Sequence, residues 1–407
     1  MRELEAMADQ RSGVTAAHGF AASGVAAGIK PGSEKKDCAL VFSDRPASAA
    51  GVFTTNVVRA PGVEWCAQVC KRGRARGVFI NSGNANACTG DGGRADVVAT
   101  AERVAALTET SPEEICVCST GVIGVRLPMD KVLDGAARCV EALAPSGGID
   151  AATAIMTTDV VRKEFAVELP LGAGTVRIGG MSKGAGMIAP NMATTIAVVT
   201  TDATVAPAHL EAALRRAVDV SFNAVCVDND MSTSDTLLVL ANGAAGLPAL
   251  TPDSEDFRAF EAGLQAVCTH LAQALVRDGE GVTKFVEIQV EGAPTDADAR
   301  TIARAVAKSD LVKTAFYGED PNWGRIACAA GYSGVTFDPN DLAIWLGPVK
   351  VLERGEPTDY EEDDAAAVMK RPEYVVRIAV GNGPGRTVFW TSDLTLEYIR
   401  INADYRS

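Results

Sequence analysis

One threonine, Thr194, stands where a break in the main chain would turn it into a nucleophile. It follows the glycine-rich run Gly179-Gly180-Met181-Ser182-Lys183-Gly184-Ala185-Gly186 and the small residue Ala193, and it precedes an apolar, strand-like segment from Thr195 to Thr201. Cleavage between Ala193 and Thr194 would leave a free α-amine beside the threonine hydroxyl. An amine that can take that hydroxyl's proton is one of the few ways to activate an ordinary alcohol near neutral pH. Taken alone, the same residues read more simply as a loop entering a core strand, because threonine favours strands.

Acyl chemistry also needs donors for a developing oxyanion. The turn Ser119-Thr120-Gly121 offers a hydroxyl and a backbone N–H of the right type. Lys183 could neutralise an anion or, once desolvated, act with a lowered pKa, although a solvated surface lysine is the plainer reading. Glu280, set between Gly279 and Gly281, is a carboxylate open to a substrate ammonium. The run Asp228 to Thr236 has the oxygen density of a cation loop but lacks the glycine and closing glutamate of an EF-hand, so a capped, hydrogen-bonded loop is expected. Gly318 to Arg325 combines turn residues with a tryptophan and an arginine, as a rigid connection or a site wall. No phosphate loop, dinucleotide fingerprint or HExxH motif occurs.

The elements that must position these groups alternate between strand and helix. Short β segments are expected at Gly24–Gly28, Cys38–Phe42, Gly51–Phe53 and Gly77–Asn81, with helices over residues 92–109 and 129–144. Ile115 to Gly124 reads as a strand running into a glycine turn, and residues 163–179 as a hairpin. Beyond Thr194 the pattern gives a strand, a helix over Ala206–Val218, a strand near Asn223–Val227 and helices at Ser254–Arg277 and Ala297–Lys308. Strands near Phe285–Val290, Val375–Val380 and Thr387–Thr391 follow, and the acidic run Glu353–Asp364 reads as a surface loop. Hairpins and glycine turns are too frequent for a purely parallel sheet, so an α+β sandwich with helices outside its sheets is expected.

At 407 residues, 47% hydrophobic and 22% charged, the chain can bury a full core. A formal charge of −14 argues against nucleic acid or an anionic membrane as its partner. No apolar run reaches the roughly 18–20 residues of a membrane span, and residues 1–13 lack a signal core, so a soluble cytoplasmic protein is expected. The ten cysteines show no CxxC pair and the three histidines (His18, His209, His270) stand far apart, so buried free thiols are expected and structural zinc is not.

Taken in order, the motifs resemble one family, the glutamate N-acetyltransferases (ornithine acetyltransferases) of arginine biosynthesis. The matching segments are Asn81–Gly90, Ser119–Gly124, Met156–Asp159, Lys183–Pro190, Met192-Ala193-Thr194, Asp278–Gly281, Gly318–Arg325 and the terminus Asn402–Ser407. The resemblance runs from about Gly19 to the end. It implies an N-terminal-nucleophile-like fold of α/β/β/α layers. It implies self-cleavage at Ala193–Thr194 into an α chain, residues 1–193, and a β chain, residues 194–407, assembled as α2β2. Thr194 would then carry an acetyl group from N-acetylornithine to glutamate. Thr120 and Gly121 match the family's oxyanion donors; Thr157 (or Thr158), Lys183, Thr194, Glu280, Asn402 and Ser407 match its substrate-binding positions. No metal or cofactor is implied, although some members also take acetyl-CoA as a co-substrate. Five positions depart from the family's usual pattern: Thr195-Ile196 after the nucleophile, Asn229 and Ser234 in the Asp228 loop, and Val160 after Asp159. Two other readings stand beside this one, an amidase or aminopeptidase passing the acyl group to water, and an uncleaved binding protein on the same fold.

Overall fold

Alternate residues along the early strands are apolar on both faces, so each face needs a partner of its own. The computed structural model describes residues 5–6, 13–30, 32–189 and 195–404. Ala193, Thr194 and Ser407 lie outside the described residues. In chain order the first half gives β1 (Glu5–Ala6), β2 (Phe20–Val25), β3 (Cys38–Phe53), α1 (Pro61–Lys71), β4 (Arg74–Asn84), α2 (Gly90–Thr108), β5 (Ile115–Val122), α3 (Met129–Glu141), α4 (Gly148–Ala154), β6 (Lys163–Leu171) and β7 (Gly174–Lys183). Then come β8 (Ile196–Thr201), α5 (Pro207–Asp219), β9 (Val225–Cys226), β10 (Thr236–Ala241), α6 (Glu255–Arg277) and β11 (Phe285–Gly292). The remainder is α7 (Asp296–Lys308), α8 (Asp310–Tyr317), α9 (Trp323–Gly331), β12 (Ala343–Leu346), β13 (Val349–Glu353), β14 (Glu356–Pro357), α10 (Glu362–Met369), β15 (Glu373–Ala379), β16 (Gly383–Ser392) and α11 (Leu396–Asp404).

The nine-stranded first sheet runs β1-β6-β7-β8-β10-β3-β4-β5, with β2 also paired to β3. It folds over on itself along β3. Register slips between Phe42 and Ala47, where Asp44, Arg45 and Pro46 bulge out into solvent. The first half of β3 pairs with β2 and β4, while Ser48–Phe53 pairs with β10. One core lies between the two layers so formed: Ala39, Val41, Val78, Ile80, Cys116 and Cys118 from one, Met181, Ile196, Val198, Leu238 and Leu240 from the other. The alternate residues Leu40, Phe79, Ile115 and Val117 face α2 and α3. On the far side Ile178, Val199, Leu237 and Val239 face α5 and α6. The expected α+β sandwich of α/β/β/α layers is therefore present, made by one folded sheet. A second, seven-stranded sheet, β14-β13-β12-β15-β11-β16-β9, shares the α5–α6 core through Val286, Ile288 and Val290 and carries α7.

Several element bounds differ from the sequence pattern for identifiable reasons. Cys38–Phe42 and Gly51–Phe53 belong to one strand, because Pro46 and the charges at its centre sit in the bulge and do not end it. Helix α1 is legible only from Pro61 at its first position. The acidic run Glu353–Asp364 is part helix: Glu362, Asp363 and Asp364 form the first turn of α10, where carboxylates favour the positive end of the helix dipole. All ten cysteines are free, with Cys88 and Cys328 exposed where burial was expected. Among the described residues no helix is long and apolar enough to cross a membrane.

Gly179 in β7 accepts the turn Gly13–Thr15 against its bare α-carbon. A Cβ there would lie 1.9 Å from the Gly13 carbonyl oxygen. Gly179→Ala is therefore expected to cost about 1–3 kcal/mol, the usual penalty for overpacking. A thermal melt showing an unchanged midpoint would disprove the close approach.

Candidate active site

The fold-over brings together groups that a flat sheet would separate. Thr120 lies near the end of β5 and Lys183 ends β7, five strand steps apart along the pairing order. A flat sheet would hold those strands about 24 Å apart, at roughly 4.8 Å per step. Instead the Lys183 ammonium donates to the Thr120 hydroxyl oxygen at 3.2 Å, with both side chains buried.

That hydrogen bond decides what the threonine can do. With its oxygen accepting from Lys183, the Thr120 hydroxyl hydrogen is left to donate elsewhere, and it has no acceptor among the described residues. The turn that carries it is fixed from behind. Ser119 donates to Asn81 Oδ1 at 2.7 Å, Asn81 Nδ2 donates to the Asn84 carbonyl at 2.9 Å, and Ser82 donates to the Ala154 carbonyl at 2.6 Å. Gly121 has φ +133°, and a Cβ on it would lie 2.3 Å from the Gly83 carbonyl carbon, so no other residue fits there.

Thr120, Gly121, Thr157, Lys183, Glu280 and Asn402, all singled out from the sequence, line one cavity of about 290 Å³. Thr158 lines it as well. Glu280 is seated by its N–H on the Ala185 carbonyl (2.9 Å) and accepts from Asn402 Nδ2 at 2.8 Å. The other Asn402 amide hydrogen goes to the Tyr398 carbonyl, so in this arrangement the asparagine orients Glu280. Gly186 is needed for the same reason, since a Cβ there would meet the Glu280 carboxyl at 2.5 Å. Burial pushes the Lys183 ammonium below its ordinary pKa, with Asp159 opposing the shift.

Thr194 and Ala193 lie outside the described residues, but the next residue is firmly placed. Thr195 donates its hydroxyl to the Lys183 carbonyl at 2.7 Å, and its own carbonyl accepts from Thr236 N–H at 2.9 Å. Its N–H reaches the buried Asp235 carboxyl, which burial pushes well above the ordinary range against the pull of that N–H and of Lys183.

For other groups the place at the cavity was not legible in advance. Asp228 lines the cavity, accepting from the Met187 and Ile188 N–H groups and from the Tyr398 hydroxyl. Its oxygen-rich loop binds backbone; among the described residues no cluster of ligands could hold a metal. Tyr398 comes from α11, where nothing in the local sequence marks it. Asp159 and Lys163 sit behind the cavity floor. The Gly318–Arg325 segment is a structural turn: Glu319 pairs with Lys284, Trp323 Nε1 donates to the Tyr360 hydroxyl, and the cavity lies elsewhere. The histidines are also elsewhere, with His18 on Asp202 and His270 stacked on Phe165.

A buried lysine at a threonine-glycine donor pair, opposite a buried carboxylate, is the constellation of an enzyme that handles an anion and an ammonium together. The comparisons specify which. Residues 21–407 match the ArgJ family, and the chain belongs to it. It is 50% identical over 396 residues to the arginine biosynthesis bifunctional protein ArgJ of Symbiobacterium thermophilum, covering 97% of this chain and 98% of that one. It is 48% identical over 395 residues to that of Parasynechococcus marenigrum, covering 97% and 95%. Among solved structures, the ornithine acetyltransferase of Mycobacterium tuberculosis, complexed with ornithine, is 52% identical, covering 46% of this chain and 99% of that one at a TM-score of 0.43. The motifs thus pointed to the right family, that of acyltransferases of arginine biosynthesis.

Two outcomes follow from the geometry. Gly186→Ala should collide with the Glu280 carboxyl and cost about 1–3 kcal/mol, the usual penalty for overpacking; an unchanged thermal midpoint would disprove the close approach. Asp159 provides a pH test. Burial alone would raise its carboxyl, but Lys183, Lys163 and the Gly184 N–H outweigh burial and hold it at about 2, against an ordinary 3.8. Its stabilisation is therefore complete above 3.8 and lost as pH falls through 2. The stability gap between wild type and Asp159→Asn should be wide at neutral pH and close over that interval in acid denaturation.

Proposed function

We propose that the chain cuts itself between Ala193 and Thr194 and then transfers acetyl from N2-acetylornithine to glutamate through Thr194. The observation that carries this reading is the convergence of Thr120, Lys183 and Glu280 on one cavity beside the anchored Thr195. In the first half-reaction the Thr194 α-amine takes the proton of its own hydroxyl, and the oxygen attacks the acetyl carbonyl carbon. The carbonyl oxygen becomes an oxyanion, received by the Thr120 hydroxyl and the Gly121 N–H, with Lys183 close behind. The C–N bond breaks, its electron pair and the proton leave on ornithine, and an acetyl ester remains on Thr194. The amine of glutamate attacks that ester in the second half-reaction and regenerates the hydroxyl.

Glu280 suits the charged amine of the donor and Asn402, expected from the sequence to meet an α-carboxylate, holds that acid in place, while Ser407 suits the α-carboxylate. The chemistry needs neither metal nor cofactor; acetyl-CoA is a second acetyl donor in a bifunctional member of the family. In this reading residues 1–193 and 194–407 form the α and β chains of an α2β2 enzyme working in the cytoplasm.

Intact mass before and after incubation with N-acetylornithine, without glutamate, tests the proposal. Two fragments dividing at Ala193–Thr194, with one acetyl on the larger, are expected; a single unmodified chain would overturn it. Thr194→Ala should remain whole and inactive. Thr120→Ala should slow transfer by about 10²–10³-fold, the usual loss for one oxyanion donor, and an unchanged rate would remove Thr120 from the mechanism.

A further inference from the structure

A bridge of three charged residues lies behind the cavity and lines no part of it. Lys163, the first residue of β6 and 2% exposed, donates to Asp159 Oδ1 at 2.7 Å and to Asp278 Oδ2. Each acid in turn grips a segment that carries a cavity residue. Asp159 accepts from the N–H of Thr157 at 2.9 Å and from that of Gly184, next to Lys183, at 2.6 Å. Asp278 accepts from the N–H groups of Val160 and Val161 at 3.1 and 3.2 Å, and lies two residues before Glu280.

Two further facts make this bridge more than incidental. The loop it holds has no apolar anchor there, since Val160 and Val161 are 83% and 60% exposed, so the polar contacts are what fix it. Asp278 caps the C-terminus of α6, where the helix dipole disfavours a carboxylate, so its place is explained by Lys163 and the two N–H groups rather than by the helix. Buried ion pairs gain little net stability but define geometry when every partner is satisfied, as here.

We propose that Asp159, Lys163 and Asp278 are positioning residues for the transfer reaction, setting the distance between Thr157, Lys183 and Glu280 and so the fit of the substrate. The proposal rests on the acetyl-transfer reading above. Under that reading the bridge also spans the cut, with Asp159 and Lys163 on one fragment and Asp278 on the other.

The test compares wild type, Lys163→Met and Asp278→Asn, with N-acetylornithine as donor and glutamate as acceptor. Asp278→Asn keeps an acceptor for the Val160 and Val161 N–H groups and preserves shape, so it decides the matter if Lys163→Met fails to fold. Cleavage into two fragments is expected as in wild type, with KM for N-acetylornithine raised about 10–100-fold, the worth of a charged hydrogen bond at Glu280, and kcat changed far less. A fall in kcat with KM unchanged would mark a merely structural role and overturn the proposal. So would wild-type values of both constants. Wild type that never acquires an acetyl group would instead sink the transfer reading itself, which separates the two failures.

Discussion

The cost of keeping the Lys183 charge out of water shapes most of this site. An ammonium without water must be given hydrogen-bond partners and counter-charge, or it gives up its proton. The chain supplies both from separate elements: the Thr120 hydroxyl from β5 and the Asp159 carboxylate from the loop before β6, with Asp235 just ahead of β10 adding a weaker pull. Delivering these to one point requires the first sheet to fold over along β3, which in turn requires the bulge at residues 43–46. The donor geometry of Thr120 is a by-product of the same arrangement, since a lysine that needs an acceptor leaves the hydroxyl hydrogen pointing away.

The layers serve this closure. The core between the two halves of the folded sheet is built of small and medium side chains such as Ala39, Val41, Ala49 and Val198, which lets the halves approach. The fully buried Phe79, against α2 and α3, and Phe260, on α6, belong to the outer cores, while the inner core takes in Phe20 among its larger residues. The glycines at the site follow the same logic. Gly121 and Gly186 are bare because the Gly83 backbone and the Glu280 carboxyl occupy the space a side chain would need.

The sequence disclosed the site better than the fold that makes it. Thr120, Gly121, Lys183, Glu280 and Asn402 were readable because each sits in a short motif of the family, and these four distant segments converge on one cavity. Period and composition gave the helices over residues 254–277 and 297–308 nearly to the residue, because their apolar spacing is regular, and the start and turn of the hairpin at 163–179, whose second strand runs on to Lys183. Local pattern could not show that β3 is one bent strand, since a bulge and two separate strands share the same turn residues. Tyr398 and Lys163 were equally hidden, and for Asp228 the hydrogen-bonded loop was legible but its place in the cavity was not. Their roles depend on partners between 4 and 170 positions away, and a single sequence holds no record of which partners meet.

The pairing of β7 with β8, and of β10 with β3, interleaves the two halves of the chain in one sheet. A cut before Thr194 would therefore divide a polypeptide whose strands are already woven together. Neither half owns a complete sheet: residues 1–193 would leave the edges of β3 and β7 bare, and residues 194–407 would carry β8 and β10 without their outer neighbours. The halves made separately would be expected to aggregate through those edges rather than find each other. Under the proposed self-cleavage, synthesis as one precursor would set the stoichiometry of the two fragments at one to one and would make the intact fold the gatekeeper of its own maturation.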